Sequence, residues 1–159
     1  MIRDYQETDR QQVLDLNADC VPEVGEMDLD KLKGFEEWAP FLRVVESDGA
    51  VVAFLVGLTE EAPYGSPNFG WFHERYPSFA YVDRVAISEK QRGAGWGPAL
   101  YREFEAWAEE QDKPVICAEV NTEPPNPRSL RFHDLFGFDM VDQFRPYDDV
   151  RVGMMVKKL

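Results

Sequence analysis

The chain has 159 residues, 44% of them hydrophobic, and a formal net charge of −13. That length and apolar content suit one domain over residues 1–159 with its own core, and exclude a disordered chain. The acidic balance argues against nucleic acid as a partner, since phosphate contacts need lysine and arginine, and it favours cationic molecules near the surface.

Taken in order, residues 2–5 read as a first strand. Asp9 can cap a helix through about residue 20, with Val13, Leu14, Leu16 and Asn17 along it. Pro22 and Gly25 mark 21–27 as a loop, and Asp28 can cap a second helix over 29–38 that Pro40 ends. Residues 41–46 and 50–58 read as strands around Ser47-Asp48-Gly49, a hairpin signal. The run 51–58 is the longest apolar stretch and falls far short of a membrane span. The first residues show no apolar signal region, so the expectation is a soluble, cytoplasmic protein without membrane contact.

Residues 59–79 hold three prolines and two glycines, which argue against a long regular element. Their aromatics argue against a simple linker and suggest a lid. Residues 80–87 form a strand-like run, and a polar break at 88–91 follows. Then comes Arg92-Gly93-Ala94-Gly95-Trp96-Gly97, and Leu100, Phe104, Trp107 and Ala108 repeat at helical spacing with Pro98 in the first turn. Glycines at alternate positions let a loop curl and let a ligand approach its backbone. The N–H groups and the helix N-terminus then favour an anion, and Arg92 adds a fork suited to phosphate. A Walker loop is excluded because Pro98 and Ala99 follow the last glycine, and a dinucleotide fingerprint because the glycines run Gly-x-Gly-x-Gly in mid-chain.

Residues 114–121 read as a strand, 122–127 as a turn, 128–136 as a helix that Gly137 stops, and 138–144 with 150–157 as a last strand pair. Cys20 and Cys117 are too few and too far apart for a disulfide framework or a zinc site, so both read as small core residues and no metal is expected.

The stretch from residue 80 resembles motif A of the GNAT superfamily of N-acetyltransferases, with Val85-Ala86-Ile87 leading to Arg92, Gly95 and Gly97. Glu119-Val120-Asn121, Asn126, Phe132-His133 and Gly137-Phe138 resemble its motif B, with His133 at the usual tyrosine. The residues between strand and helix, 122–125, carry two prolines and run slightly longer than usual. The resemblance covers essentially the whole chain. It implies the GNAT fold, an α/β (α+β) domain with a mixed, mostly antiparallel sheet of six to seven strands, helices on both faces and splayed central strands.

It further implies acetyl transfer from acetyl-CoA, as co-substrate, to a primary amine by direct attack in a ternary complex. In the family the glycine loop holds the pyrophosphate, here Arg92, Gly93, Ala94, Gly95, Trp96 and Gly97. The strand-end backbone, here Val85, Ala86 and Ile87, meets the acetyl and pantetheine, and Asn126 and His133 are the motif B contacts.

An aliphatic ammonium needs a base at neutral pH. Glu119 leads, because a carboxylate in a central strand is costly unless paired or used. Its structural alternative is a partner for Arg84 or Arg131, and its catalytic rival is Asp83, itself open to a salt bridge. His133 could be an acid or a CoA contact. The acceptor is expected to be a small-molecule amine or a peptide, taken beside Tyr64, Phe69, Trp71 and Phe72, whose faces can hold a cation, and beside Glu26. A homodimer stays open, and a CoA-binding module without turnover is the alternative.

Overall fold

The computed structural model describes residues 1–159. Seven strands occur: β1 (Ile2–Asp4), β2 (Phe41–Ser47), β3 (Ala50–Thr59), β4 (Ala80–Ile87), β5 (Val115–Glu123), β6 (Asp139–Tyr147) and β7 (Val150–Lys158). Five helices join them: α1 (Arg10–Asp19), α2 (Leu29–Trp38), α3 (Pro67–Arg75), α4 (Trp96–Glu110) and α5 (Pro127–Leu135). The strands form one mixed sheet in the order β1-β2-β3-β4-β5-β7-β6. The chain divides into two compact units, Met1–Leu58 with Val82–Phe104 and Thr59–Tyr81 with Glu105–Leu159, so β4 and α4 each contribute to both.

In the first unit, Asp9 stands before α1 as the sequence suggests, but its carboxylate turns away from the helix. It accepts from the Gln6 backbone N–H and from both terminal nitrogens of Arg3, at 2.8 to 2.9 Å. The bidentate guanidinium outcompetes the helix amides. Asp28 caps α2 as expected, accepting from Lys31 N–H at 2.8 Å. The turn between β2 and β3 is tighter than expected. Only Asp48 and Gly49 lie between the strands, both with positive φ, 51° and 78°, which matches the right-handed strand twist. Gly57 is required by packing, since a Cβ there would lie 2.2 Å from the Phe104 ring of α4. α4 starts at Trp96, which puts Pro98 in its first turn.

In the second unit, the stretch expected to lack a long regular element contains α3. Ser66 accepts from Phe69 N–H as the N-cap, Pro67 takes the first position, and Tyr76 turns extended before Pro77. Those prolines bound the helix; they do not break it. β5 pairs antiparallel with β7, and β7 with β6. The parallel pairing of β4 with β5 comprises Ala80↔Ile116 and Tyr81↔Cys117, while β4 runs on to Ile87 and β5 to Glu123. β5 passes through an irregularity between Asn121 and Glu123 and so outruns its expected end at 121. The core here is Phe69, Phe72, Phe79, Tyr81, Ile116 and Met154, each at most 2% exposed.

Candidate active site

Glu119 lies on β5 within a group assembled from three elements. The Tyr81 hydroxyl of β4 donates to its carboxylate, at 2.8 and 2.7 Å from the two oxygens. The Asn68 side-chain N–H of α3 donates to Oε1 at 3.2 Å. Packing fixes this arrangement. Phe69 and Phe72 sit at 5.5 and 5.8 Å between ring centroids from Tyr81, which sets the rotation of α3 and turns Asn68 toward Glu119. Glu119 is half-buried as a residue, and its carboxylate is held by these donors.

Next to it on the strand, the Cys117 thiol is fully buried. Burial, with the neighbouring Glu119 charge adding to it, pushes its pKa well above the usual thiol range. Cys117 is therefore a protonated core residue and no nucleophile.

Asp83, the rival base, has another task. Its carboxylate accepts from Arg84 Nε at 2.8 Å, with both side chains about 95% buried. Arg84 Nη1 also donates to the Asn17 side chain at 3.0 Å and to the Gly25 carbonyl at 2.8 Å. Asp83 is thus the counter-charge of a buried arginine that ties down the 20–28 segment. This buried ion pair is the salt bridge that the sequence left open for Asp83 beside a catalytic role. Glu26 follows the anchored Gly25 carbonyl and is exposed.

The glycine loop has the geometry an anion needs. Gly93 and Gly95 hold φ values of 85° and 89°, and a Cβ on either would meet nothing within 4 Å. Their requirement is therefore conformational, and the space above them is open. Ala94 lies between them and Gly97 in the first turn of α4, whose leading N–H groups have no intrahelical partner. The Arg92 side chain is about a third exposed, with Nη2 3.9 Å from Glu23, a loose pair that a phosphate could displace. Trp96 donates its indole N–H to the Gln91 side chain at 3.2 Å, bracing the loop. On β4, Ala86 is buried while Val85 and Ile87 are half-buried, and the Ile87 carbonyl faces the Cys20 thiol at 3.6 Å.

Two motif B residues carry local structure. Asn126 is the N-cap of α5, accepting from Ser129 N–H at 3.3 Å. His133 is 3% exposed, with Nδ1 2.7 Å from the Ser129 carbonyl. A carbonyl accepts only, so the ring proton sits on Nδ1. Burial lowers its pKa, against the Ser129 bond that raises it, and keeps the ring neutral. A neutral His133 whose proton is engaged by the Ser129 carbonyl is a structural residue of α5, which weighs against the acid role that the resemblance implies.

The aromatic expectation also changes. Phe69 and Phe72 are core residues, 2% and 0% exposed, so their faces are covered by packing. Trp71 already carries the Arg75 guanidinium 4.0 Å above its ring. Tyr64 and Trp71 line an open hollow of about 640 Å³ together with Glu74, Arg75 and Phe144. A cation arriving there meets Arg75 paired with Glu74, and the Trp71 face is already taken.

Sequence reasoning missed Tyr81 and Asn68, and it offered Arg84 as a partner of Glu119 without seeing its pairing with Asp83. Ser66-Pro67 was the available signal for the helix that carries Asn68.

A mixed sheet of this order, with a glycine loop leading into its longest helix, has the architecture that the resemblance to the GNAT acetyltransferases implies. The chain matches the Acetyltransferase (GNAT) family over residues 10–138, and it belongs to that family. No curated protein matches it by sequence. Its fold is similar to that of Ard1 from Thermoplasma volcanium, at TM-score 0.81 and 23% identity, covering 100% of this chain and 97% of that one. Naa20 from Chaetomium thermophilum, solved with a bisubstrate analogue, gives 0.79 and 20%, covering 100% and 86%. The ribosomal-protein-alanine N-acetyltransferase from Brucella melitensis gives 0.72 and 23%, covering 100% and 99%. No helix is long and apolar enough to cross a membrane.

Proposed function

We propose that the chain transfers an acetyl group from acetyl-CoA to the amine of a peptide or small molecule, with Glu119 as the proton acceptor. The observation that carries this is Glu119, half-buried with its carboxylate held by Tyr81 and Asn68, in a chain of an acetyltransferase family. Support for the peptide end of the range comes from neighbours named as a ribosomal-protein-alanine N-acetyltransferase and as a complex with a bisubstrate analogue.

Acetyl-CoA would supply an activated thioester. The open glycine loop, Arg92 and the first turn of α4 fit its pyrophosphate, and the backbone of Val85, Ala86 and Ile87 is assigned to the pantetheine and acetyl end. Glu119, steadied by the Tyr81 hydroxyl, takes the ammonium proton, directly or through water. Deprotonation at neutral pH costs roughly 4–5 kcal/mol, because an aliphatic amine has a pKa of about 10.4. The freed nitrogen then attacks directly, a C–N bond forms, the C–S bond breaks, and the surplus proton on nitrogen passes to the departing sulfur, so that CoA leaves as the thiol. Asp83 and His133 hold structure in this scheme.

The test is turnover of acetyl-CoA with a panel of polyamines, amino acids and short peptides. The expected result is acetylation of at least one free amine and none of N-blocked controls. Tight acetyl-CoA binding with no turnover across the panel would instead favour a binding module.

A further inference from the structure

The open hollow in the second unit is bounded by one face of α3. Pro67, Gly70, Trp71 and Glu74 line it, and they follow one another at i, i+3, i+4 and i+7. Tyr64 and, from β6, Phe144 line its other sides. At about 640 Å³ it has the size of sites that hold small ligands, roughly 300–1,000 Å³.

Gly70 is the odd residue on this face. It sits inside a regular helix, where only proline is a poorer choice. Its φ is not positive, and a Cβ added to it would meet nothing within 4 Å. Neither backbone geometry nor packing asks for glycine there. Its missing side chain leaves helix backbone bare on the wall of the hollow, where a flat group can approach closely.

The other lining residues define the guest. Tyr64, Pro67, Trp71 and Phe144 offer largely apolar surface. The charges are matched to each other: Arg75 lies 3.5 Å from Glu74, is stacked 4.0 Å over the Trp71 ring, and donates to the Trp71 carbonyl at 2.9 Å. A charged guest gains little from a pair already neutralised, and an apolar one gains burial. The hollow also begins beside the base. Asn68, which donates to Glu119 at 3.2 Å, follows Pro67 directly and stands three positions before Trp71, about one helical turn of 5.4 Å.

We propose that this hollow is the specificity pocket of the acceptor, taking an apolar or aromatic side chain of a peptide whose α-amine faces Glu119. The inference rests on the acetyl-transfer reading above and adds to it the class of side chain and its place on α3.

The experiment measures kcat/KM with acetyl-CoA for short glycine peptides carrying one phenylalanine at position two, three or four, against the all-glycine peptide. The wild type is compared with Gly70→Leu, which fills the hollow from a position with open space, and with Phe144→Ala, which removes a wall contributed by another element. The wild type is expected to prefer phenylalanine at one of these positions by roughly 10–100-fold, the scale of burying such a side chain. Both variants are expected to bring that preference toward one through KM for the peptide, with KM for acetyl-CoA unchanged. Equal rates for all peptides on the wild type would overturn this inference and leave acetyl transfer standing. So would an undiminished preference in Gly70→Leu, or in Phe144→Ala should the former not fold. No turnover of any peptide by the wild type would overturn the peptide-acceptor reading and this inference with it.

Discussion

Glu119 meets a phenol and an amide, both donors, and the pairing joins positions 38 and 51 residues apart in the chain. His133 shows the opposite arrangement: one carbonyl fixes its proton and burial keeps the ring neutral. Its folded pKa lies below the ordinary value of 6.5. The unfolded chain therefore binds a proton that the folded chain refuses, and stability is lost as pH falls from about 6.5. One such proton tilts stability by at most about 1.4 kcal/mol per pH unit. Asp9 and Glu36 are held below their ordinary values by Arg3 and Arg10, so their losses begin only further down, below 3.8 and 4.5. Denaturant unfolding of the wild type should thus show a decline just below pH 6.5, and His133→Phe should flatten it. The same slope in the variant would mean that another group titrates there.

The elements divide into those whose role is packing and those left open. Gly57 lets α4 lie against β3, and Gly57→Ala should cost about 1–3 kcal/mol, the range for overpacking a tight core. Thermal unfolding with a normal Tm would contradict the contact seen between that position and Phe104. Gly95 stands in open space, where aspartate tolerates positive φ better than most residues do. Gly95→Asp should therefore fold, yet lose acetyl-CoA affinity in calorimetry through charge. Unchanged affinity would remove the loop from the cofactor site. The loop, β4 and Glu119 were legible in the sequence because each is a local pattern: glycine spacing, an apolar run, an acid on a strand. α3 was obscured because its prolines were read as breakers, when one starts the helix and the other follows its end. Tyr81 and Asn68 were not legible because their role exists only where three separate elements meet.

At the scale of the whole molecule, the charge of −13 remains the plainest bias. With the Phe69, Phe72 and Trp71 faces occupied, this field is the main reason to expect cationic acceptors. Steering of this kind weakens with salt, as the screening length shrinks from about 30 Å at 0.01 M to about 8 Å at 0.15 M. The kcat/KM for a lysine-rich peptide should fall over that range, and more steeply than for a peptide whose only cation is its α-amine. Equal slopes would assign the preference to local contacts.

The measurement that bears most directly on the account is the pH–rate profile of Glu119→Gln with a free-amine acceptor and acetyl-CoA. The account predicts that acetyl-CoA affinity is unchanged, that kcat/KM falls by roughly 10²–10⁴-fold, the usual scale for a general base, and that the acidic limb disappears. A variant that keeps the wild-type rate and profile would contradict it.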